Sequence, residues 1–143
     1  MSFANPSPGA IRALLEKTRR IAVVGLSPNP DRPSHGVAQA LQGFGYKIIP
    51  VRPAVDEILG EKACPDLRHL PGPVDLVDVF RAPEFVQAIV DDCIALKLSA
   101  LWLQEGVVNE AAANRARQAG IFAVMDRCIY KEYRRLIPGP ALT

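Results

Sequence analysis

The run Gly25-Leu26-Ser27-Pro28-Asn29-Pro30-Asp31-Arg32-Pro33-Ser34 carries the residue types that hold a phosphate. A glycine lets backbone approach an anion closely, serines offer hydroxyls, and an arginine offers a planar fork of donors. Pro30 and Pro33 stand on either side of Arg32 and would hold it over the loop. Four apolar residues, Ile21-Ala22-Val23-Val24, precede the run, and Ser34 is expected to cap a helix beginning near His35. A strand, a short loop and a helix N-terminus in that order favour an anion, because free N–H groups and the helix dipole both point at it. Gly25, Leu26, Ser27, Arg32 and Ser34 are therefore the first candidate binding residues.

Other candidates follow later apolar runs: Val51-Arg52-Pro53, Phe80-Arg81, Gln104 with Gly106, and Cys128. Arg52 stands where a dinucleotide fold would place an acidic residue for the ribose hydroxyls, and it suits a phosphate on that ribose instead. The spaced glycines of the dinucleotide fingerprint are absent, which disfavours NAD and leaves an NADP-type oxidoreductase as an alternative. Cys128 follows Arg127 just before a helix, a setting that stabilises a thiolate, so it reads either as a reactive thiol or as a small loop filler. Cys93 falls on a buried helical stripe and Cys64 reads as packing. His35 and His69 lack a Ser, Cys or carboxylate at motif spacing, so binding without turnover is expected and no catalytic residue is assigned.

These residues need elements to position them, and the chain supplies alternating strands and helices. Ser7-Pro8 marks a lead-in helix within 1–19, with Ile11, Leu14, Leu15 and Thr18 at helical spacing. Strands are predicted at Ile21–Val24, Lys47–Val51, Leu76–Phe80, Ala100–Leu103 and Ile121–Val124. Helices are predicted after Ser34 to about Gly45, from Pro83 through Phe85, Val86, Ile89, Val90 and Cys93, from Asn109 to Gly120, and over about 129–136, before a tail at 137–143. This alternation predicts a three-layer α/β Rossmann-like domain with a five-stranded parallel sheet of order 3-2-1-4-5. Every candidate then falls at the carboxyl edge of the sheet.

Composition sets outer bounds. A chain of 143 residues that is 49% hydrophobic and 22% charged is read as one globular domain. A net charge of +2, with bases interleaved among acids, gives no nucleic-acid surface. No apolar run approaches the roughly 20 residues of a membrane span. The N-terminus lacks the basic-then-apolar form of a signal peptide. Three widely spaced cysteines signal neither disulfides nor a metal site, and a cytoplasmic location with free thiols is expected.

The ordered set Gly25-x-Ser27, Pro30-x-Arg32-x-Ser34, Gly45-Tyr46, Pro50-Val51-x-Pro53, Asp78-Val79-Phe80-Arg81, Trp102-x-Gln104-x-Gly106 and Asp126-Arg127-Cys128 resembles the small stand-alone CoA-binding proteins. These are similar to the N-terminal domain of the succinyl-CoA synthetase alpha subunit. The resemblance covers about 21–136 and implies coenzyme A, or a short acyl-CoA, as ligand. It places the phosphates near the Gly25–Ser34 loop, the adenine after the second strand and the pantetheine arm toward the later loops. Phe80 and Trp102 then read as core or as walls for the ligand, and Arg81 either contacts it or pairs with Asp78 or Glu84. Arg52 departs from the asparagine usual in the family. A homodimer and a ligase-type partner subunit are both open, and Cys128 near the ligand thiol would make a CoA-thiol redox protein.

Overall fold

The computed structural model describes residues 2–139. In chain order the elements are α1 (Pro8–Lys17), β1 (Arg20–Val24), α2 (Pro33–Gly43), β2 (Lys47–Val51), β3 (Glu57–Ile58), β4 (Glu61–Lys62), β5 (Leu76–Val79), α3 (Val86–Ala95), β6 (Ala100–Leu103), α4 (Glu110–Gln118), β7 (Phe122–Val124) and α5 (Ile129–Leu136). Local chemistry sets most boundaries. Ser7 Oγ accepts the Ala10 N–H with Pro8 at the first helical position of α1, and Asn109 caps α4 by accepting the Ala112 N–H. Gly45, at φ +105°, lets the chain leave α2 in a left-handed turn. The predicted tail is described only through Gly139; Pro140 lies outside the described residues.

The main sheet is parallel throughout, in the order β2-β1-β5-β6-β7. A lone parallel bridge joins Val51 to Cys64 outside β2. The five parallel strands flanked by helices are the ones expected, and counted along the sheet from the 47–51 edge the strand at 76–79 stands third, on the other side of β1 from β2. β3 and β4 form a small antiparallel hairpin that turns at Leu59 and Gly60, both with positive φ.

Both faces of the sheet are covered, so the strands read as continuous apolar runs instead of alternating ones. Ile21, Val23, Ile48, Leu76, Trp102 and Val124 pack with α1, α2 and α5 residues such as Leu15, Leu41 and Ile129. Ala22, Ile49, Val77, Leu101 and Ala123 pack with Val90 and Cys93 of α3 and Ala113 of α4 on the other face. Trp102 is fully buried core, and its Nε1–H donates to the Arg127 carbonyl at 2.8 Å. Phe85 departs from the predicted stripe. Pro83–Phe85 is a 3-10 turn, which displaces Phe85 from the α-helical register and leaves it 45% exposed.

One polar residue breaks this interior. Asp78, in register with Val23 and Trp102, is fully buried and neither carboxylate oxygen has a hydrogen-bond partner. Burial pushes its carboxyl well above the usual carboxylate range. An acid raised in this way contributes its full stability below its unfolded value, about 3.9, and loses it as pH rises through the folded value. Asp78→Asn is therefore expected to change stability little near pH 4 and to stabilise the protein by at least about 1 kcal/mol at about pH 8. Urea unfolding of both proteins across that range measures the difference, and a gap that does not grow with pH contradicts it.

Candidate functional site

The carboxyl ends of the central strands open on a cleft of about 1130 Å³, above the roughly 300–1,000 Å³ of pockets for drug-sized ligands. β1 is followed by β2 on one side and has β5 on the other, so the cleft sits where the strand order reverses. Open α/β sheets bind ligands at such a crevice. Gly25, Ser27, Arg32 and Ser34 line it from the first loop, and Val51, Arg52 and Pro53 from the end of β2. Phe80 and Arg81 contribute from the end of β5, and Gln104, Gly106 and Cys128 from the later loops. Leu26 is the exception among the sequence candidates. Its apolar side chain turns into the core beneath α2, fully buried, and only its carbonyl faces a site residue, accepting from Arg52 Nη1 at 3.3 Å.

Gly25 is required by geometry. Its φ is +83°, and a Cβ there would lie 2.4 Å from the Phe80 carbonyl oxygen and 3.0 Å from Arg81 Cδ. The loop beyond it is tied by its own serines. Ser34 Oγ accepts the Ser27 N–H at 2.9 Å, and Ser27 Oγ accepts the Asn29 N–H at 3.1 Å. Ser34 does not cap α2 as expected. Pro33 starts the helix one residue earlier, Arg32 takes the cap position without a side-chain bond, and Ser34 lies within the first turn.

Three guanidiniums, those of Arg32, Arg52 and Arg81, line the cleft, and none of them is in an ion pair among the described residues. Arg81 pairs with neither Asp78 nor Glu84; it lies over the Phe85 ring, 4.1 Å from the centroid. The carboxylate that lines the cleft, Glu105, is engaged by Lys131 at 3.0 Å and raises that lysine's pKa. The cleft thus presents uncompensated positive charge beside a helix N-terminus, an arrangement complementary to phosphates.

Residues 102–106 are bound to residues 126–131 by a series of hydrogen bonds. Asp126, itself at φ +59°, accepts the Gly106 N–H at 2.8 Å, and Gln104 Oε1 accepts the Ile129 N–H at 3.1 Å. These bonds carry Cys128, which is half-buried, to the cleft. His35 and His69 do not line it, and His69 instead meets Asp66 at 2.7 Å on the surface. The candidate binding residues read from the sequence left out Asn29, Pro33, Val37, Ala82, Pro83, Phe85, Glu105 and Val107, which also line the cleft. Phe85 was legible in principle, since Pro83 two residues before it permits a 3-10 start. Val107 carries no such signal.

An open parallel sheet with a loop-lined cleft at its switch point defines a Rossmann-like α/β domain. The chain belongs to the CoA-binding domain family, whose model matches residues 19–134. It is 44% identical over 125 residues to YneT of Bacillus subtilis, covering 87% of this chain and 93% of that protein. It is 33% identical over 76 residues to the alpha subunit of acetate–CoA ligase (ADP-forming) II of Pyrococcus furiosus, spanning 52% of this chain and 17% of that subunit. A solved protein of Pyrococcus horikoshii superposes with a TM-score of 0.88 at 32% identity, over 96% of this chain and 99% of that one. Among the described residues no helix is long and apolar enough to cross a membrane.

The close approach at Gly25 yields a direct prediction. Gly25→Ala forces a side chain into left-handed backbone against the Phe80 carbonyl, and is expected to cost about 1–3 kcal/mol from the backbone alone. Denaturant unfolding checks it, with Gly43→Ala as the comparison, since a Cβ there meets nothing within 4 Å.

Proposed function

We propose that the cleft binds coenzyme A or a short acyl-CoA. The observation that carries this reading is the set of three unpaired arginines around one dinucleotide-sized cleft, in a chain of the CoA-binding domain family. Coenzyme A carries a pyrophosphate and a 3′-phosphate, and each can accept paired hydrogen bonds from a guanidinium. Arg32 and the Gly25–Ser34 loop would meet the pyrophosphate, with the hydroxyl hydrogens of Ser27 and Ser34 as further donors. Arg52, at the end of β2 and anchored to the Leu26 carbonyl, would meet the 3′-phosphate. Phe80, Pro83, Phe85 and Val107 give the cleft apolar surface for the adenine and the pantetheine arm.

Binding without turnover is the form of this reading that the site supports. The histidines lie away from the cleft, and Arg32, Arg52 and Arg81 within it are donors suited to holding anions. The similarity to a ligase alpha subunit covers only a small part of that subunit, and it supports a shared ligand more directly than a shared reaction.

Isothermal titration of the reduced protein with CoA, dephospho-CoA, acetyl-CoA and NADPH tests the proposal. Micromolar binding of CoA is expected, weakened about tenfold or more without the 3′-phosphate, since a hydrogen bond to a charged group contributes about 1.5–3 kcal/mol. Arg52→Gln is expected to bind CoA and dephospho-CoA with nearly equal affinity. Tight NADPH binding with none for CoA would overturn the reading in favour of an NADP-type oxidoreductase.

A further inference from the structure

β7 is an edge strand of the main sheet, paired with β6 on one side and with no strand on the other. Backbone groups along such an edge need partners from elsewhere. Asn5, 120 residues away in sequence, supplies them just past the strand's carboxyl end. Its Nδ2–H donates to the Met125 carbonyl at 2.9 Å, and its Oδ1 accepts the Met125 N–H at 2.8 Å. One carboxamide thus presents the donor and the acceptor that a neighbouring strand would offer. Two further contacts hold the segment in place. The Phe3 N–H donates to Glu110 Oε1 at 2.9 Å, and the Arg117 guanidinium lies 4.1 Å from the Phe3 ring centroid.

Met125 leads directly into a strained turn. Asp126 adopts left-handed backbone at φ +59°, a conformation that a non-glycine residue keeps only where its surroundings impose it. Downstream, Asp126 Oδ1 accepts the Gly106 N–H, the Arg127 carbonyl accepts from Trp102 Nε1, and the Ile129 N–H donates to Gln104 Oε1. Upstream, the paired bonds from Asn5 clamp the same turn. Gln104, Gly106 and Cys128 line the cleft, whereas Asn5 and Met125 do not. Asn5 therefore acts on this side of the cleft only through the backbone it holds. It also lies outside residues 19–134, the part of the chain that the family model matches.

Resting on the CoA reading above, we propose that Asn5 is a positioning residue for the arm end of the ligand. Its carboxamide sets where residue 125 stands, and so fixes residues 126–128 and the 104–106 loop bonded to them as the wall against which the pantetheine arm lies. The groups that would meet the phosphates hang on other bonds, from the Ser27 N–H to Ser34 Oγ and from Arg52 Nη1 to the Leu26 carbonyl. Losing the clamp should therefore cost arm binding and spare phosphate binding. Linkage makes the effect reciprocal: a ligand whose arm prefers the clamped wall must tighten the clamp by the same factor.

Calorimetric titration of the full-length wild type and of Asn5→Ala with CoA and with adenosine 3′,5′-bisphosphate, which keeps the nucleotide end of CoA and lacks the arm, tests this. The wild type is expected to bind CoA the more tightly of the two. Asn5→Ala is expected to lose about fivefold or more in CoA affinity, while its affinity for the bisphosphate changes by less than about twofold. Ser7→Ala removes the α1 cap without touching Met125, so it controls for lost stability and should keep both affinities. Hydrogen exchange on the wild type needs no variant. CoA should slow exchange of the Met125 amide, which lies outside the cleft, at least about fivefold more than the bisphosphate does. Equal wild-type affinities for the two ligands, unchanged CoA affinity in Asn5→Ala, an equal loss for both ligands, or equal protection of Met125 by both would overturn the inference and leave the CoA reading standing. No CoA binding by the wild type sinks the CoA reading and this inference with it.

Discussion

A carbonyl oxygen that passes 2.4 Å from where a side chain would begin makes position 25 the point on which sheet and site both depend. The Phe80 N–H donates to the Val24 carbonyl at 2.8 Å, which continues the β1–β5 pairing to the edge, and the Gly25 N–H donates to the Val51 carbonyl at 2.9 Å on the other side. Gly25 therefore ends the ladder between three strands while its positive φ turns the chain out into the loop. Arg81 Cδ lies 3.0 Å from where a Cβ would stand. A larger residue would disturb strand register, loop path and a cleft cation together. The same atoms close the sheet and open the site.

Charge is distributed on the same logic. Arginines without carboxylate partners are tolerable at the sheet edge because water reaches them, and exposed charges are only weakly penalised there. The sheet interior offers no such relief, and the single carboxyl within it, Asp78, is held toward its neutral form by burial. Fold stability thus rests on apolar packing over both sheet faces. Electrostatic potential is concentrated where the strands end.

Much of the architecture was legible because each strand is buried on both faces and carries an unbroken apolar run, as Ile21–Val24 and Ala100–Leu103 do. The caps at Ser7 and Asn109 and the stop at Gly45 follow from side-chain and backbone chemistry within a few residues. What escaped depends on contacts between distant segments. The Val51–Cys64 bridge and the β3–β4 hairpin are too short to leave a periodic signal. Ser34 reads equally well as a helix cap or as a tie across the loop, and only the position of the Ser27 N–H decides between them. Leu26 belongs to the loop by sequence and to the core by packing, since adjacent residues of a tight turn point in opposite directions.

The two sides of the cleft are built differently, and the difference follows from where their hydrogen bonds go. Residues 102–106 satisfy most of their polar groups against 126–131, through Trp102, Gln104, Glu105 and Gly106, and this makes a platform that holds its shape without a ligand. The opposite loop uses the oxygens of Ser27 and Ser34 as acceptors for its own backbone but leaves the hydroxyl hydrogens to donate outward. Arg52 uses one N–H on the Leu26 carbonyl and keeps the rest of its fork. Arg52 adds a full positive charge without loosening the loop, because the same side chain that faces the cleft is tethered to the backbone beneath it. On the proposed reading, a ligand with phosphates at one end and an uncharged arm at the other would place its phosphates against the surface left with free donors, the loop of Ser27 and Ser34 with Arg52.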